Sequence, residues 1–154
     1  MPIHTKNKKD EARSVLLRHL ELPKVTREIV VSYIKNPEIF LFLKNACDAI
    51  GVVLISEAND MILAWADIWI TDTVDAAIPI LELSKNRIVP IVPKMDEYAG
   101  VFSEFDPMKF TGNAFIFQTV NQFQMFEKLI RALENMRYAG DKRMLLENVE
   151  SISL

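Results

Sequence analysis

Residues 28–56 read Glu-Ile-Val-Val-Ser-Tyr-Ile-Lys-Asn-Pro-Glu-Ile-Phe-Leu-Phe-Leu-Lys-Asn-Ala-Cys-Asp-Ala-Ile-Gly-Val-Val-Leu-Ile-Ser, and this stretch decides the fold class. Glu28–Ile34 is short, β-branched and continuous, the pattern of a parallel strand buried on both faces. Asn36-Pro37-Glu38 then starts a helix, with Pro near the first turn where its missing N–H costs nothing. The helix runs to about Ile50, Gly51 is a natural residue just past its end, and Val52–Ser56 is a second strand. Strand, helix and strand joined by short links make a βαβ unit.

Working outward, the same alternation continues. Asn59 caps a brief helix through Ala66, and Asp67–Thr71 is a third strand. Thr73–Asn86 is helical, with Pro79 delaying its regular part. Arg87–Val92 is a fourth strand closed by Pro93, and Asp96–Phe110 is irregular around a short helix, punctuated by Gly100 and Pro107. Asn113–Phe117 is a fifth strand. From Asn121 a long helix carries Phe123, Phe126, Leu129, Ile130 and Leu133 at spacings of three and four, and Gly140 is its expected break. Before the first strand, Ala12, Val15, Leu16 and Leu20 recur at helical spacing between Asp10 and Glu21. Five strands alternating with helices predict a doubly wound five-stranded parallel sheet in three α/β/α layers, with an extra N-terminal helix and a C-terminal helical tail. The expected divisions are 1–27 (tail and helix), 28–140 (the α/β domain) and 141–154 (a helical or frayed tail).

Composition bounds the function. The chain has 154 residues, half apolar and a quarter charged, the balance of a globular domain that needs no staple. Eighteen basic and 21 acidic residues give a net charge of −3, which leaves no broad cationic field for nucleic acid or anionic lipid. Lys6, Lys8 and Lys9 read as a solvated terminus. The single Cys47 cannot form an internal disulfide, and its helix face makes it a small buried hydrophobe. Both histidines, His4 and His19, lie in the first twenty residues, so the main body has neither a His cluster for metal nor a Ser-His-Asp arrangement. No apolar run is long enough to cross a bilayer and no signal-peptide core is present, so a cytoplasmic location is expected.

Ligands gather at the carboxyl ends of strands in open parallel sheets. There this sequence places Lys35 and Asn36, Ser56 and Glu57, Asp72, Thr73 and Asp75, Lys94, and Thr119. The four glycines (51, 100, 112 and 140) are too far apart for a G-x-G-x-x-G loop or a P-loop, which excludes phosphate binding by those routes. Asp75 reads as a helix cap, and Trp65 and Trp69 as core or contact residues rather than a ligand pocket.

The run from Pro37 through Ala58, Ala-Asp-Ile-Trp-Ile-Thr-Asp (66–72), and Gly-Asn-Ala-Phe-Ile-Phe (112–117) followed by Phe126-Glu-Lys-Leu-Ile-Arg-Ala-Leu resemble the receiver domain of two-component response regulators. The resemblance covers roughly residues 28–137 and implies a flavodoxin-like fold with Asp72 at the phosphoacceptor position. It fails at the chemistry. Ile34-Lys35-Asn36 stands where receivers hold an acidic pair for magnesium, Pro93-Lys94-Met95 lacks the switch hydroxyl, and Gln118 or Thr119 replaces the lysine. Phosphoryl transfer needs those offsetting charges. What the resemblance then implies is a degenerate receiver: a non-enzymatic, cofactor-free signalling module that binds a protein partner. Lys35 is expected to direct its ammonium toward Asp72, in the place of the metal. Leu16, Leu17, Leu145 and Leu146 must be buried either by packing back on the domain or by joining two copies; the favoured expectation is a homodimer, with Tyr98, Phe102 and Phe105 adding contact surface.

Two other readings stand beside it. Ala66-Asp-Ile-Trp-Ile, Ile80-Leu-Glu-Leu, Val89-Pro-Ile-Val and the stretch from Phe115 to Leu133 also resemble the C-terminal half of two-domain sugar-nucleotide glycosyltransferases. That resemblance implies that Glu82 contacts the donor ribose, although the family's glycines are missing. The third reading is a phosphorylatable receiver that uses Asp72 and recruits acid from Glu57.

Overall fold

The computed structural model describes residues 28–56, 59–73 and 80–152. In chain order the elements are β1 (Ile29–Tyr33), α1 (Pro37–Ile50), β2 (Val53–Ile55), α2 (Asp60–Leu63), β3 (Ile68–Thr71), α3 (Ile80–Lys85), β4 (Val89–Pro93), β5 (Phe115–Phe117), α4 (Gln122–Arg137) and α5 (Ala139–Glu150). All four strand pairs are parallel, and the order across the sheet is β2-β1-β3-β4-β5. This is the three-layer, doubly wound arrangement expected from the sequence. The chain reverses its direction of travel between β1 and β3, so a crevice opens above their carboxyl ends.

Local chemistry explains the boundaries. Asn36 caps α1 by accepting the N–H groups of Glu38 (2.9 Å) and Ile39 (3.3 Å), while Pro37 fills the first helical position. Gly51 closes the helix in a left-handed conformation, φ 73°. Between those ends Ile39, Leu43 and Cys47 face the sheet, each such side chain worth about 1.5–3 kcal/mol when an aliphatic residue is fully buried. Asn59 caps the short α2 through Ile62 N–H (2.9 Å). The core runs through all five strands, and Trp69 and Phe117 are among its largest fully buried side chains. The indole N–H of Trp69 has no partner there.

Three expectations are corrected here. The break after α4 falls at Tyr138, which is extended (φ −94°, ψ 117°), and Gly140 sits inside the first turn of α5. The segment expected as a helical or frayed tail is helical and docked. Leu145 and Val149 are buried, Asn148 Nδ2 donates to the Gly112 carbonyl (2.8 Å), and Ser84 Oγ donates to the Glu150 carbonyl (2.8 Å). These partners precede β5 and β4, so α5 crosses beneath the amino-terminal edge of the sheet and joins α4 to α3. Finally, Leu145, Tyr98, Phe102 and Phe105 are core residues of this chain rather than exposed contact surface, and Leu146 is half-buried against the same core. Leu16 and Leu17 lie outside the described residues. Phe123, expected on the inner side of its helix, is 67% exposed and meets Phe42 edge-on at 5.3 Å.

The connection from β4 to β5 is ordered by its own side chains. A 3-10 turn at Asp96–Tyr98 leads into a loop in which Asn113 binds both the Ser103 N–H (2.9 Å) and the Val101 carbonyl (3.0 Å). Glu104 accepts the Ile116 N–H (2.6 Å) and pairs with Lys128 of α4 (2.7 Å). Among the described residues no helix is long and apolar enough to cross a membrane.

Candidate functional site

The crevice between β1 and β3 is built by a tyrosine carbonyl, a threonine hydroxyl and one carboxylate. Thr71 is fully buried at the end of β3; its hydroxyl lies 2.9 Å from the Tyr33 carbonyl and accepts the Thr73 N–H (3.2 Å). The next residue, Asp72, reaches across the crevice. Its Oδ1 accepts the Lys35 N–H (2.9 Å) and its Oδ2 the Asn36 N–H (3.1 Å). Tyr98 comes over from the β4–β5 connection and donates its hydroxyl to the Thr73 carbonyl (3.2 Å). Three loops are thereby fastened at one point.

Lys35, Asn36, Asp72 and Thr73 are brought together as the sequence suggested, but in a different way. Asp72 meets the backbone of Lys35 through the amide, where the sequence pointed to the ammonium. The reason is the turn of the chain at the end of β1, which presents two successive N–H groups toward β3 just ahead of the Asn36 cap. Lys94 and Thr119 stand further along the same edge, both exposed. Their backbone N–H groups are bound to the Phe117 carbonyl (2.9 Å) and to Gln124 Oε1 (3.0 Å). Glu57 and Asp75 lie outside the described residues. Trp69 is core and Trp65 packs half-buried against it, so neither lines a ligand cleft.

Beside the clamp lies a cleft of about 340 Å3, lined by Ser32, Tyr33, Ile34, Lys35, Pro37, Phe40 and Ser56. Its walls are one aromatic face, a tyrosine, two serines and a lysine. Ser32 is already committed to the Ile55 carbonyl (3.1 Å). This volume lies at the lower end of the range for ligand pockets, and the hollow is half open to solvent. Sequence reasoning missed Tyr33 and Phe40, because both read simply as strand and helix core. Their position at element ends, beside the expected site, is the only signal they carried.

Two further groups complete the picture. Glu82 lies half-buried in the first turn of α3, and its carboxylate receives a long contact from Asn86 Nδ2 (3.4 Å). Burial pushes the Cys47 thiol up to about 11, with Asp48 adding and Lys44 opposing, so at neutral pH it is a packed, inert side chain.

No protein-family model matches the sequence, and no curated protein matches it. The fold does match a solved structure, the catalytic domain of starch synthase IV from Arabidopsis thaliana bound to ADP and acarbose, with a TM-score of 0.69 at 18% sequence identity. The match covers 94% of this chain and 39% of that one, so the chain spans well under half the length of its structural neighbour. This likeness, which shows the fold alone, goes against the expectation that the chain is not an enzyme: nearly its whole length shares the fold of part of a starch synthase catalytic domain.

Proposed function

We propose that this domain is the nucleotide-sugar-binding half of a glycosyltransferase-like enzyme, with the other side of the cleft supplied by a second domain. The observation that carries the reading is the fold match over 94% of the chain to a catalytic domain solved with ADP. Two features of the residues support it. Glu82 lies in the helix that follows β3, and the resemblance to sugar-nucleotide transferases assigns it to the donor ribose. A carboxylate accepting two vicinal hydroxyls recognises ribose well, since charge-assisted hydrogen bonds are about twice as strong as neutral ones. The cleft of about 340 Å3 beside Tyr33 and Phe40 suits a base or a sugar ring. A full donor needs more wall than these residues provide, which accords with a second domain.

Thermal unfolding with ADP, UDP, an ADP-sugar and a UDP-sugar tests the reading. A ligand at a hundredfold excess over its Kd adds about 2.7 kcal/mol, or roughly 5–10 °C for a domain of this size. Glu82→Gln is expected to leave the unliganded melting point within about 2 °C, because its carboxylate carries little of the fold. It should remove most of the ligand-induced shift. If none of the four compounds raises the melting point, or if Glu82→Gln keeps the full shift, the proposal fails.

A further inference from the structure

We propose that Asp72 is the crevice's own anion: its carboxylate fills the place where a phosphate would meet the start of α1, and it makes that end of the sheet select against phosphate. The accounting of donors carries this. Amides that precede and open a helix form the usual cradle for an anion, through their N–H groups and the helix dipole. Here the Lys35 and Asn36 N–H groups go to the two oxygens of Asp72, at 2.9 and 3.1 Å. Pro37 has no N–H to offer. The Glu38 and Ile39 N–H groups go to Asn36 Oδ1, and the Phe40 N–H goes to the Asn36 carbonyl (3.1 Å). From residue 35 to residue 40 every backbone donor is taken.

The occupant comes from 37 residues away in sequence and from a different strand, so it is a tertiary contact that closes the crevice rather than a local turn. It is also held in place: Thr71 and Thr73 are tied to the Tyr33 carbonyl and to the Tyr98 hydroxyl on either side of it. An arriving phosphate would have to displace a bound carboxylate and then sit beside its charge. The uncharged part of a ligand meets no such barrier, and the neighbouring cleft offers hydroxyls and the Phe40 ring. On the donor reading above, the base or sugar therefore lies over β1 and the diphosphate lies away from α1. The inference rests on that reading only for the identity of the ligand.

Titration with inorganic pyrophosphate, followed at the Lys35 and Asn36 amide resonances, tests it without any nucleotide. The parent protein should show no saturable movement at either amide. Asp72→Asn, which keeps the shape and loses the charge, and Asp72→Ala, which vacates the amides, should both bind, at least about tenfold more tightly than the parent, as expected when one charge-assisted hydrogen bond is gained. Saturable binding at these amides in the parent overturns the proposal, and so do variants that behave like the parent. If Asp72→Ala does not fold, the isosteric variant and the parent decide. Failure of the nucleotide melting test with success here would remove the donor reading and leave the self-occupied crevice standing.

Discussion

Gly112→Ala is expected to destabilise the domain by about 3 kcal/mol or more, a fall of roughly 6–12 °C in melting temperature. Two independent penalties combine at this position. Gly112 has φ +92°, a conformation that L side chains rarely adopt. A Cβ built there would lie 2.1 Å from the Glu104 carbonyl oxygen and 2.5 Å from both the Glu104 carbonyl carbon and the Phe105 Cα. All three are backbone atoms, so no rotamer change relieves the contact. The segment cannot easily move, because Glu104 pairs with Ala114 along the chain, accepts the Ile116 N–H and is salt-bridged to Lys128. The Gly112 carbonyl also receives Asn148 of α5. Gly100 provides the control: it too has positive φ (+84°), but nothing lies within 4 Å of an added Cβ. Gly100→Ala should therefore cost only the backbone strain, about 1–2 kcal/mol. Equal melting points for the two variants would show that the close approach at Gly112 is not real.

Leu145→Ala should cost about 2–5 kcal/mol, the range for deleting a fully buried leucine side chain. The residue is 0% exposed within a single copy of the chain, where α5 packs on α3, α4 and β4. Its loss should therefore lower the unfolding free energy at every protein concentration and leave the sedimentation behaviour of the folded fraction unchanged. The sequence left open whether Leu145 packs back on the domain or joins two copies, and favoured the second. A variant that melts like the parent but changes its state of association would restore that view.

What could be read from the sequence was set by periodicity and capping. Asn36, Pro37 and Gly51 bracket α1 within a residue of the expected limits, because each acts through contacts within a turn or two of the chain. The five strands were legible because a strand buried on both faces needs a near-continuous apolar run. The topology followed, since short right-handed links leave few alternatives. Long-range contacts were not legible. The sequence put Asp72 near Lys35, correct to within one strand spacing. It did not distinguish a side-chain ion pair from two backbone amides, because amide direction depends on how the chain turns after β1. Leu145 and Tyr98 misled for a related reason. An apolar residue outside the regular sheet elements shows that it must be buried, but not against what. Function was the least legible, since receiver and glycosyltransferase resemblances lean on the same strands and on different carboxylates, Asp72 and Glu82.

The joint between α3 and α5 has a dynamic consequence. Helix α3 runs to Lys85, just ahead of β4. Its end is fastened to the last turn of α5 through Ser84 and through Arg87, whose guanidinium meets the Glu150 carboxylate at 2.8 Å while its backbone takes the left-handed φ of 53°. Elements joined in this way open as one cooperative unit. The amides of α3 and α5 should accordingly exchange with deuterium at a common rate, though some 60 residues separate them. Any molecule that stills Glu82 in α3 would then slow exchange along the opposite edge of the sheet, beneath β4 and β5.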